Sequence, residues 1–400
     1  MDVRTCRDRD EFAGALYGIF QYFGPAPDDD VVERWISLVG MDRMHAAFED
    51  GDIVGGAGVF TFDLSVPGGS VPCAGVTAVG VYPTHRRRGI LRGMMRAQLD
   101  DVHARGEPIA ALWASEETIY GRFGYGIASW CGDVSIPRDR SAYRGLFERR
   151  GRVRPVTLDE AVELFPPVWD ALRSQRAGVF SRTETWWRER ALRTSDEQKA
   201  TPKRLVALEI DGEVQAYAVY KTTAAFEGFV SNAKLDVVEA VGASPQATAE
   251  IWRYLLDVDW IATINAGLIP PDHPLFLLLA NPRYARFKRH DALWVRLVDL
   301  GTALGGRAYA TDESVVLEVR DSFCPWNEGR WKVEAGKADR TEERAEVALD
   351  VDALGSAYLG AVSFAALREA LRVEERVEGA VARADVLFGW SPDPWCPEIF

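Results

Sequence analysis

The sequence is poor in the residues that build metal sites and disulfide frameworks. It has five cysteines and five histidines in 400 residues. No cysteines form a Cys-x-x-Cys pair and no histidines have the His-Glu-x-x-His spacing, so we expect neither structural disulfides nor a metal. No apolar run approaches the roughly 20 residues of a membrane-spanning helix. The first residues lack a basic-then-apolar signal pattern, which predicts a cytoplasmic protein.

Positive charge is also in short supply. Lysine and arginine number 47 against 60 acidic residues, a formal net charge of −13. This balance argues against nucleic acid as the main partner and favours a cationic substrate. Many soluble proteins are equally acidic, so charge alone does not identify a function. The length predicts two or three domains.

Against this background, one basic segment stands out. An apolar strand over residues 74–81 leads into Pro83, the arginines at 86–88 and Gly89, where an amphipathic helix over 89–105 begins. A helix N-terminus offers unpaired N–H groups and partial positive charge, which suits a pyrophosphate. The spacing matches neither a Walker loop nor a dinucleotide fingerprint. The alternative is an amphipathic helix with a solvated first turn, but cations are unfavourable there unless an anion binds.

The chain divides by pattern into three parts. Residues 1–145 alternate helices and strands, which predicts a mixed α/β domain with a parallel crossover. Residues 146–290 repeat this order, with a hairpin turn at Asp211-Gly212 and a helix that begins after Ser244. They lack the basic cluster, so we interpret them as a second copy that has lost its pyrophosphate site. Residues 291–400 show strands followed by helices, which is typical of an α+β domain.

The chain resembles the enhanced intracellular survival (Eis) family of GNAT N-acetyltransferases. The resemblance is closest over residues 81–92 and over 114–126, Ala-Ser-Glu-Glu-Thr-Ile-Tyr-Gly-Arg-Phe-Gly-Tyr-Gly, with further support at 301–309 and 354–360. It implies two tandem GNAT-like α/β domains, the second degenerate, followed by a sterol-carrier-protein-like α+β domain. It also implies acetyl-CoA as co-substrate, acetylation of aminoglycoside amines and assembly as a homo-hexamer.

The resemblance implies roles for individual residues. Tyr120 corresponds to the general acid, and the carboxylate of Phe400 to the general base. A phenol can protonate a departing thiolate, whose pKa is about 8.5 in solution. The alternatives are a packing aromatic at Tyr120 and a loose chain end at Phe400. The implied acetyl-CoA contacts are Val79, Gly80, Val81, Arg87, Arg88, Gly89, Ile90, Leu91, Arg92, Ser115 and Glu116.

The acceptor side departs from the family pattern. Trp35 and Glu398 are the expected substrate contacts, but Ile399 replaces an acidic next-to-last residue and Gln21 stands near another lost acidic position. The sequence therefore predicts an N-acetyltransferase that acts on aminoglycosides or similar polyamines. An acetyltransferase for protein lysines is the alternative enzyme. A lipid or acyl carrier acting through the last domain is the alternative that is not an enzyme.

Overall fold

A computed structural model describes residues 1–194 and 200–400, which form two compact units. The first unit contains residues 1–129, 292–391 and 399–400, and the second contains residues 130–291 and 392–398. Within the described residues, every helix is too short or too polar to cross a membrane.

Helices and strands alternate through most of the chain. The strands are β1 (Asp2–Thr5), β2 (Met44–Glu49), β3 (Asp52–Val66), β4 (Gly69–Val81), β5 (Ile109–Trp113), β6 (Gly126–Ile127), β7 (Trp130–Pro137), β8 (Arg152–Pro155), β9 (Arg204–Ile210), β10 (Glu213–Thr223), β11 (Phe226–Glu227), β12 (Val230–Ser231), β13 (Ala233–Gly242), β14 (Ile261–Ile269), β15 (Lys288–Asp291), β16 (Leu293–Leu297), β17 (Val315–Arg320), β18 (Gly329–Glu334), β19 (Lys337–Arg340), β20 (Val347–Asp350) and β21 (Val373–Glu375). The helices are α1 (Arg9–Phe23), α2 (Asp29–Val39), α3 (Ile90–Ala104), α4 (Glu117–Tyr120), α5 (Leu158–Gln175), α6 (Glu184–Trp186), α7 (Pro245–Asp257), α8 (Leu275–Leu278), α9 (Leu300–Gly305), α10 (Val351–Ala357), α11 (Phe364–Glu369) and α12 (Ala380–Phe388).

The first unit contains a seven-stranded sheet in the order β1-β2-β3-β4-β5-β16-β6. Strands β4 and β5 are parallel and α3 connects them, as the crossover pattern predicts. Side chains cap the two helices that precede the hairpin β3–β4. The Asp8 carboxylate accepts from the N–H of Glu11, and the Asp28 carboxylate accepts from the N–H of Val31. The acidic run 28–30 therefore lies at the N-terminus of α2, where Asp28 is the cap and Asp29 and Asp30 belong to the first turn.

The second unit contains a sheet with the same order of equivalent strands, β8-β9-β10-β13-β14-β7-β15. The predicted hairpin at Asp211-Gly212 is confirmed, since Ile210 pairs with Glu213 across it. The predicted cap of α7 is also confirmed, because the Ser244 hydroxyl accepts from the N–H of Ala247. Helix α7 connects the parallel strands β13 and β14 just as α3 connects β4 and β5.

One strand of each sheet follows directly in sequence from a strand of the other sheet. Strand β7 follows β6 directly but lies in the second sheet, and β16 follows β15 directly but lies in the first. Each sheet therefore contains one strand that adjoins the strands of the other sheet in sequence, and the domain boundaries at 145/146 and 290/291 stay a prediction. Alternating apolar residues specify a strand and its buried face, whereas they do not specify which sheet receives it.

The rest of the first unit is an α+β fold, in agreement with the predicted fold class. Its five-stranded sheet has the order β19-β18-β17-β20-β21, and helices α9 to α12 precede or follow these strands. A buried ion pair lies between Arg296 of β16 and Asp321, with N–O distances of 2.8 and 2.6 Å. The same carboxylate also accepts from the Cys324 N–H and the Asn327 amide. Asp321 thus compensates a guanidinium that has no exposed surface.

We expect Asp321→Ala to lower the free energy of unfolding by about 3–5 kcal/mol, because it leaves the Arg296 charge buried without a counterion. Urea denaturation followed by circular dichroism measures the change. Asp350→Ala is the matched control, since it removes an exposed 2.6 Å pair with Arg320, and surface pairs contribute about 0–1 kcal/mol. Equal effects of the two variants would contradict this account of the buried pair.

Candidate active site

Strands β4 and β5 separate before either strand ends. Their ladder contains three pairs, from Cys73–Ile109 to Gly75–Ala111, yet β4 continues to Val81 and β5 to Trp113. The register of β3 and β4 shifts in the same stretch, where Ala78 has a φ of +50°. A bulge of this kind bends a strand away from its neighbour. The result is a gap between two parallel strands at their carboxyl ends, where α/β sheets commonly bind ligands.

The basic loop lies at the end of β4 and leads into α3. Arg87 and Gly89 have φ values of +64° and +83°, and Gly89 begins α3 without a side-chain cap. The N–H groups of the first helical turn are therefore open to a ligand. Arg88 pairs with Glu49 at 2.7 Å, whereas exposed Arg87 has no ion pair within the described part of the chain. This arrangement fits a pyrophosphate.

The predicted contacts on β4 have packing roles as well. A Cβ at Gly80 would overlap the backbone of Gly18, so this glycine lets α1 approach the sheet. The carbonyl of Val81 accepts a hydrogen bond from the Tyr22 hydroxyl at 2.7 Å. Val79 is half-buried against the core formed between α3 and the sheet.

The other predicted cofactor contacts lie at the start of α3 and after β5. Ile90 is buried and Leu91 is half-buried. Arg92 is exposed, with its guanidinium 5.3 Å from the ring centre of Phe323. Ser115 and Glu116 are exposed in the turn between β5 and α4. The first helical turn and this second turn thus follow the two strands that border the gap.

Tyr120 ends α4 and is 7% exposed. Its ring belongs to a cluster that includes Ala74 and Val76 of β4, and it meets Tyr125 edge-on at 6.0 Å. Burial, with a smaller contribution from Glu116, raises the pKa of the Tyr120 phenol to about 12. The phenol therefore keeps its proton at neutral pH, as a proton donor must.

Phe400 lies within a group of aromatic rings, which we call the aromatic wall: Trp35, Phe60, Phe62 and Phe400. The Phe400 ring is 5.4 Å from Phe62 and 6.4 Å from Phe60, and Trp35 stacks on Phe60 at 5.8 Å. A Cβ at Gly75 would lie 3.3 Å from the Phe400 ring, at the last pair of the β4–β5 ladder. Neighbouring residues of a strand point to opposite faces. Tyr120 lies beside Ala74 and Val76, whereas Phe400 lies beside Gly75. The two residues therefore border β4 from opposite faces.

The remaining acceptor-side residues differ in their environments. Glu398 belongs to the second unit, where Arg182 donates to one carboxylate oxygen at 2.9 Å and the Trp186 indole donates to the other. Both carboxylate oxygens of Glu398 are thus engaged within the second unit, and its predicted role in acceptor binding stays a prediction. Gln21 is half-buried on α1, and its side-chain nitrogen has no hydrogen-bond partner among residues 1–194 and 200–400.

Sequence reasoning missed several residues of this site. Phe60 and Phe62 form half of the aromatic wall, and their only signal was alternation along an apolar strand. Glu49 and Tyr22 contact the basic loop and β4 from sequence positions 39 and 59 residues away. Such contacts depend on strand pairing and helix packing, so local pattern does not reveal them.

Comparison with known proteins agrees with this geometry. Acetyltransferase (GNAT) domains match residues 4–128 and 178–297, and a sterol carrier protein domain matches residues 300–397. The N-acetyltransferase Eis of Mycobacterium tuberculosis is 33% identical over 97% of both chains. The chain belongs to the Eis family. The crystal structure of Eis1 from Mycobacterium abscessus, 32% identical, matches the full length of both chains with a TM-score of 0.88.

An uncharacterized N-acetyltransferase of Streptomyces avermitilis is 38% identical over 100% of this chain and 99% of its own length. This Eis-family chain is thus an N-acetyltransferase of the GNAT superfamily, and its fold implies acetyl-CoA as co-substrate. The gap between β4 and β5, the uncapped start of α3 and the exposed Arg87 fit the pantetheine arm and pyrophosphate of that molecule.

We expect Arg87→Ala to raise the KM for acetyl-CoA about 5- to 10-fold with little change in kcat, because it removes a charge beside the bound anion and leaves the reacting atoms alone. Initial rates at varied acetyl-CoA measure both constants, and added salt should reduce the difference. Lys337→Ala, which removes an exposed cation from β19, should behave like the unaltered enzyme. An unchanged KM in Arg87→Ala would remove this residue from the site.

Proposed function

We propose that this Eis-family enzyme transfers acetyl from acetyl-CoA to primary amines of aminoglycosides or similar polyamines. The observation that carries the proposal is the gap between β4 and β5, bordered on one face by the phenol of Tyr120 and on the other by the aromatic wall. Acetyl-CoA supplies the acetyl group as a thioester, whose sulfur leaves as a thiol when an amine attacks the carbonyl carbon. The residues around the gap must therefore give one proton to sulfur and accept one from nitrogen.

Tyr120 is the proposed proton donor to the departing sulfur. Its phenol with a pKa of about 12 is a weaker acid than a thiol in water. The apolar surroundings that raise the phenol pKa also disfavour a thiolate and so raise the thiol pKa. The difference in pKa between the phenol and the thiol is therefore smaller than in water. The backbone of β4 beyond Gly75, with Val79 to Val81, is proposed to align the pantetheine arm.

The carboxylate of Phe400 is the proposed base on the acceptor side. The Phe400 ring is only 8% exposed, and Phe60, Phe62 and Gly75 confine it. A carboxylate fixed beside an aromatic wall attracts an ammonium group through charge and through the faces of the rings. Once it has accepted a proton, directly or through water, the neutral amine can attack. Trp35 is proposed to form the outer part of the acceptor pocket.

The alternative acceptor is a lysine of a protein, since the same chemistry acetylates any primary amine. The lipid-carrier hypothesis has less support. Two surface cavities in the C-terminal domain, of about 430 and 310 Å³, are lined mainly by polar and charged side chains such as Glu318, Arg330 and Glu342. The family assignment also makes the chain an enzyme.

Assembly as a homo-hexamer is part of the proposal, on the basis of the family resemblance. Exposed apolar side chains in the second unit are suitable for contacts between copies. Phe229, Val230 and Trp260 are exposed in or near the β11–β12 hairpin. Sedimentation velocity measures the number of chains in the assembly, and a monomer would contradict this part of the proposal.

The test of function is thiol release from acetyl-CoA by untagged enzyme with aminoglycosides, linear polyamines and lysine peptides as acceptors. We expect turnover with aminoglycosides and a decrease of about 10²- to 10³-fold in kcat for Tyr120→Phe, with acetyl-CoA binding retained. The matched control is Tyr143→Phe, which removes a hydroxyl of the second unit that donates to the carbonyl of Ala249 at 2.9 Å and should leave kcat unchanged.

The pH dependence follows from the raised pKa of Tyr120. Burial disfavours the phenolate, so the donor stays protonated and kcat should show no fall between pH 7 and 10 that depends on Tyr120.

Two outcomes of the acceptor test would contradict the proposal. Thiol release with lysine peptides alone would support the alternative, in which the acceptor is a lysine of a protein. Full activity of Tyr120→Phe would exclude the phenol from the reaction.

A short extension after Phe400 should lower kcat by at least about 10-fold, because it replaces the terminal carboxylate with a peptide bond and moves the charge. The same extension placed before Met1 is the control and should leave kcat unchanged. Initial rates at saturating acetyl-CoA measure the difference. If both enzymes turn over equally, the terminal carboxylate is not the base.

A further inference from the structure

The second sheet opens between two parallel strands in the same way as the first. The β13–β14 ladder ends at the pair Val237–Ala266, although both strands continue. Here the gap is nearly filled, since the remaining cavity is about 10 Å³ and its lining includes Trp395 and Pro397. These residues belong to a segment of residues 392–398, which we call the tail. The tail thus lies in the position of the second sheet that corresponds to the gap beside β4.

Backbone contacts hold the tail in this opening. The Trp395 N–H donates to the carbonyl of Ala177 at 2.9 Å, and its indole N–H donates to the carbonyl of Leu268 on β14 at 2.5 Å. Gly178 has a φ of +92°, and a Cβ there would lie 2.9 Å from the Trp395 carbonyl oxygen. Trp395 is 8% exposed and Cys396 is fully buried. The residues around the tail therefore pack closely against its backbone, and Gly178 leaves the space that the Trp395 carbonyl occupies.

A buried ion cluster secures the end of the tail. The Arg182 side chain is 2% exposed and donates to Glu239 of β13 at 3.0 and 2.5 Å and to Glu398 at 2.9 Å. Its guanidinium lies 3.5 Å from the ring centre of Trp169. Burial opposes the charge on Arg182, but Glu239 and Glu398 outweigh it and raise the pKa of Arg182 above its ordinary value. Arg182 thus remains a cation that joins β13 to the tail.

Glu239 lies in β13 at the position that corresponds to Gly80 in β4. Strand β13 has a bulge at Val238, and Glu239 is the first paired residue after it, opposite Val219. Gly80 is likewise the first paired residue after the bulge in β4, opposite Gly56. Where the first sheet has a glycine, the second has a carboxylate that binds the tail through Arg182. An acidic side chain here disfavours an anionic cofactor, which agrees with the missing basic loop in this domain.

We infer that the opening in the second GNAT-like domain acts as a clamp for the tail, and that Arg182 is a positioning residue for acetyl transfer. The inference rests on the proposed function, because its consequence concerns Phe400. A chain end usually frays unless it is tied down. Glu398 is two residues before Phe400, so fixing Glu398 restricts the positions that the terminal carboxylate can reach. A base fixed in advance lowers the entropic cost of reaction.

The experiment compares Arg182→Met with Arg154→Met in the full-length enzyme. Arg154 is the matched control because it also bridges two glutamates of the second unit, Glu209 at 2.7 Å and Glu160 at 2.9 Å, without contacting the tail. For Arg182→Met we expect a decrease in kcat of at least 10-fold and a KM for acetyl-CoA within about 2-fold of the original. Arg154→Met should change neither constant. Arg182→Lys keeps the charge and should recover part of kcat.

A second measurement is independent of turnover. Carboxypeptidase Y removes residues from an accessible chain end, and we expect it to release Phe400 at least 10-fold faster from Arg182→Met than from Arg154→Met. Glu398→Gln, which keeps the shape and the Trp186 hydrogen bond, should give an intermediate rate and guards against a misfolded Arg182 variant. If the terminal carboxylate proves not to be the base, release still reports the clamp.

Two outcomes would overturn the inference. The first is unchanged release of Phe400 in both Arg182→Met and Glu398→Gln, which would mean that the ion cluster does not hold the tail. The second is faster release with an unchanged kcat, which would mean that the position of the tail has no effect on the reaction.

Discussion

The site depends on the separation of β4 from β5. A parallel ladder normally pairs each strand along its length, and this one stops after Gly75 and Ala111 although both strands continue. Backbone N–H and C=O groups need partners, so an edge opened inside a sheet is suited to a ligand with amide groups of its own. The bulge at Ala78 directs β4 away from β5, and the basic loop follows the end of β4.

The same constraint acts in the second sheet with the opposite outcome. There the opening beyond Val237 receives the tail, and Trp395 donates its backbone N–H to the carbonyl of Ala177 and its indole N–H to the carbonyl of Leu268 on β14. Filling the gap from within the chain leaves a cavity of only about 10 Å³, too small for an exchangeable ligand. One architecture thus serves in two ways: an opening left free beside a basic loop suits an exchangeable anion, whereas an opening beside Glu239 and Arg182 retains an acidic segment of the chain itself.

Features that depend on neighbouring residues could be predicted from the sequence. The turn at Asp211-Gly212, the cap at Ser244 and the uncapped, glycine-led start of α3 each follow from a few adjacent residues, and the structure has them where expected. The exchange of β7 and β16 between the sheets could not be predicted, since either strand fits either sheet by pattern. Glu398 illustrates the same limit: the sequence shows a carboxylate near the chain end, but only the fold shows that Arg182 has already engaged it.

The aromatic wall bears on the kind of acceptor that the site can bind. Glu398 is engaged by Arg182, and the side chains that form the aromatic wall with Phe400 are Trp35, Phe60 and Phe62. Ring faces attract an ammonium group, but they also favour apolar surface around it. A densely charged linear polyamine would bury several cations against one carboxylate at a high desolvation cost. Under the proposed function, an amine on a bulky ring scaffold would place one cation at the carboxylate and its carbon skeleton against the wall, which would lower that cost.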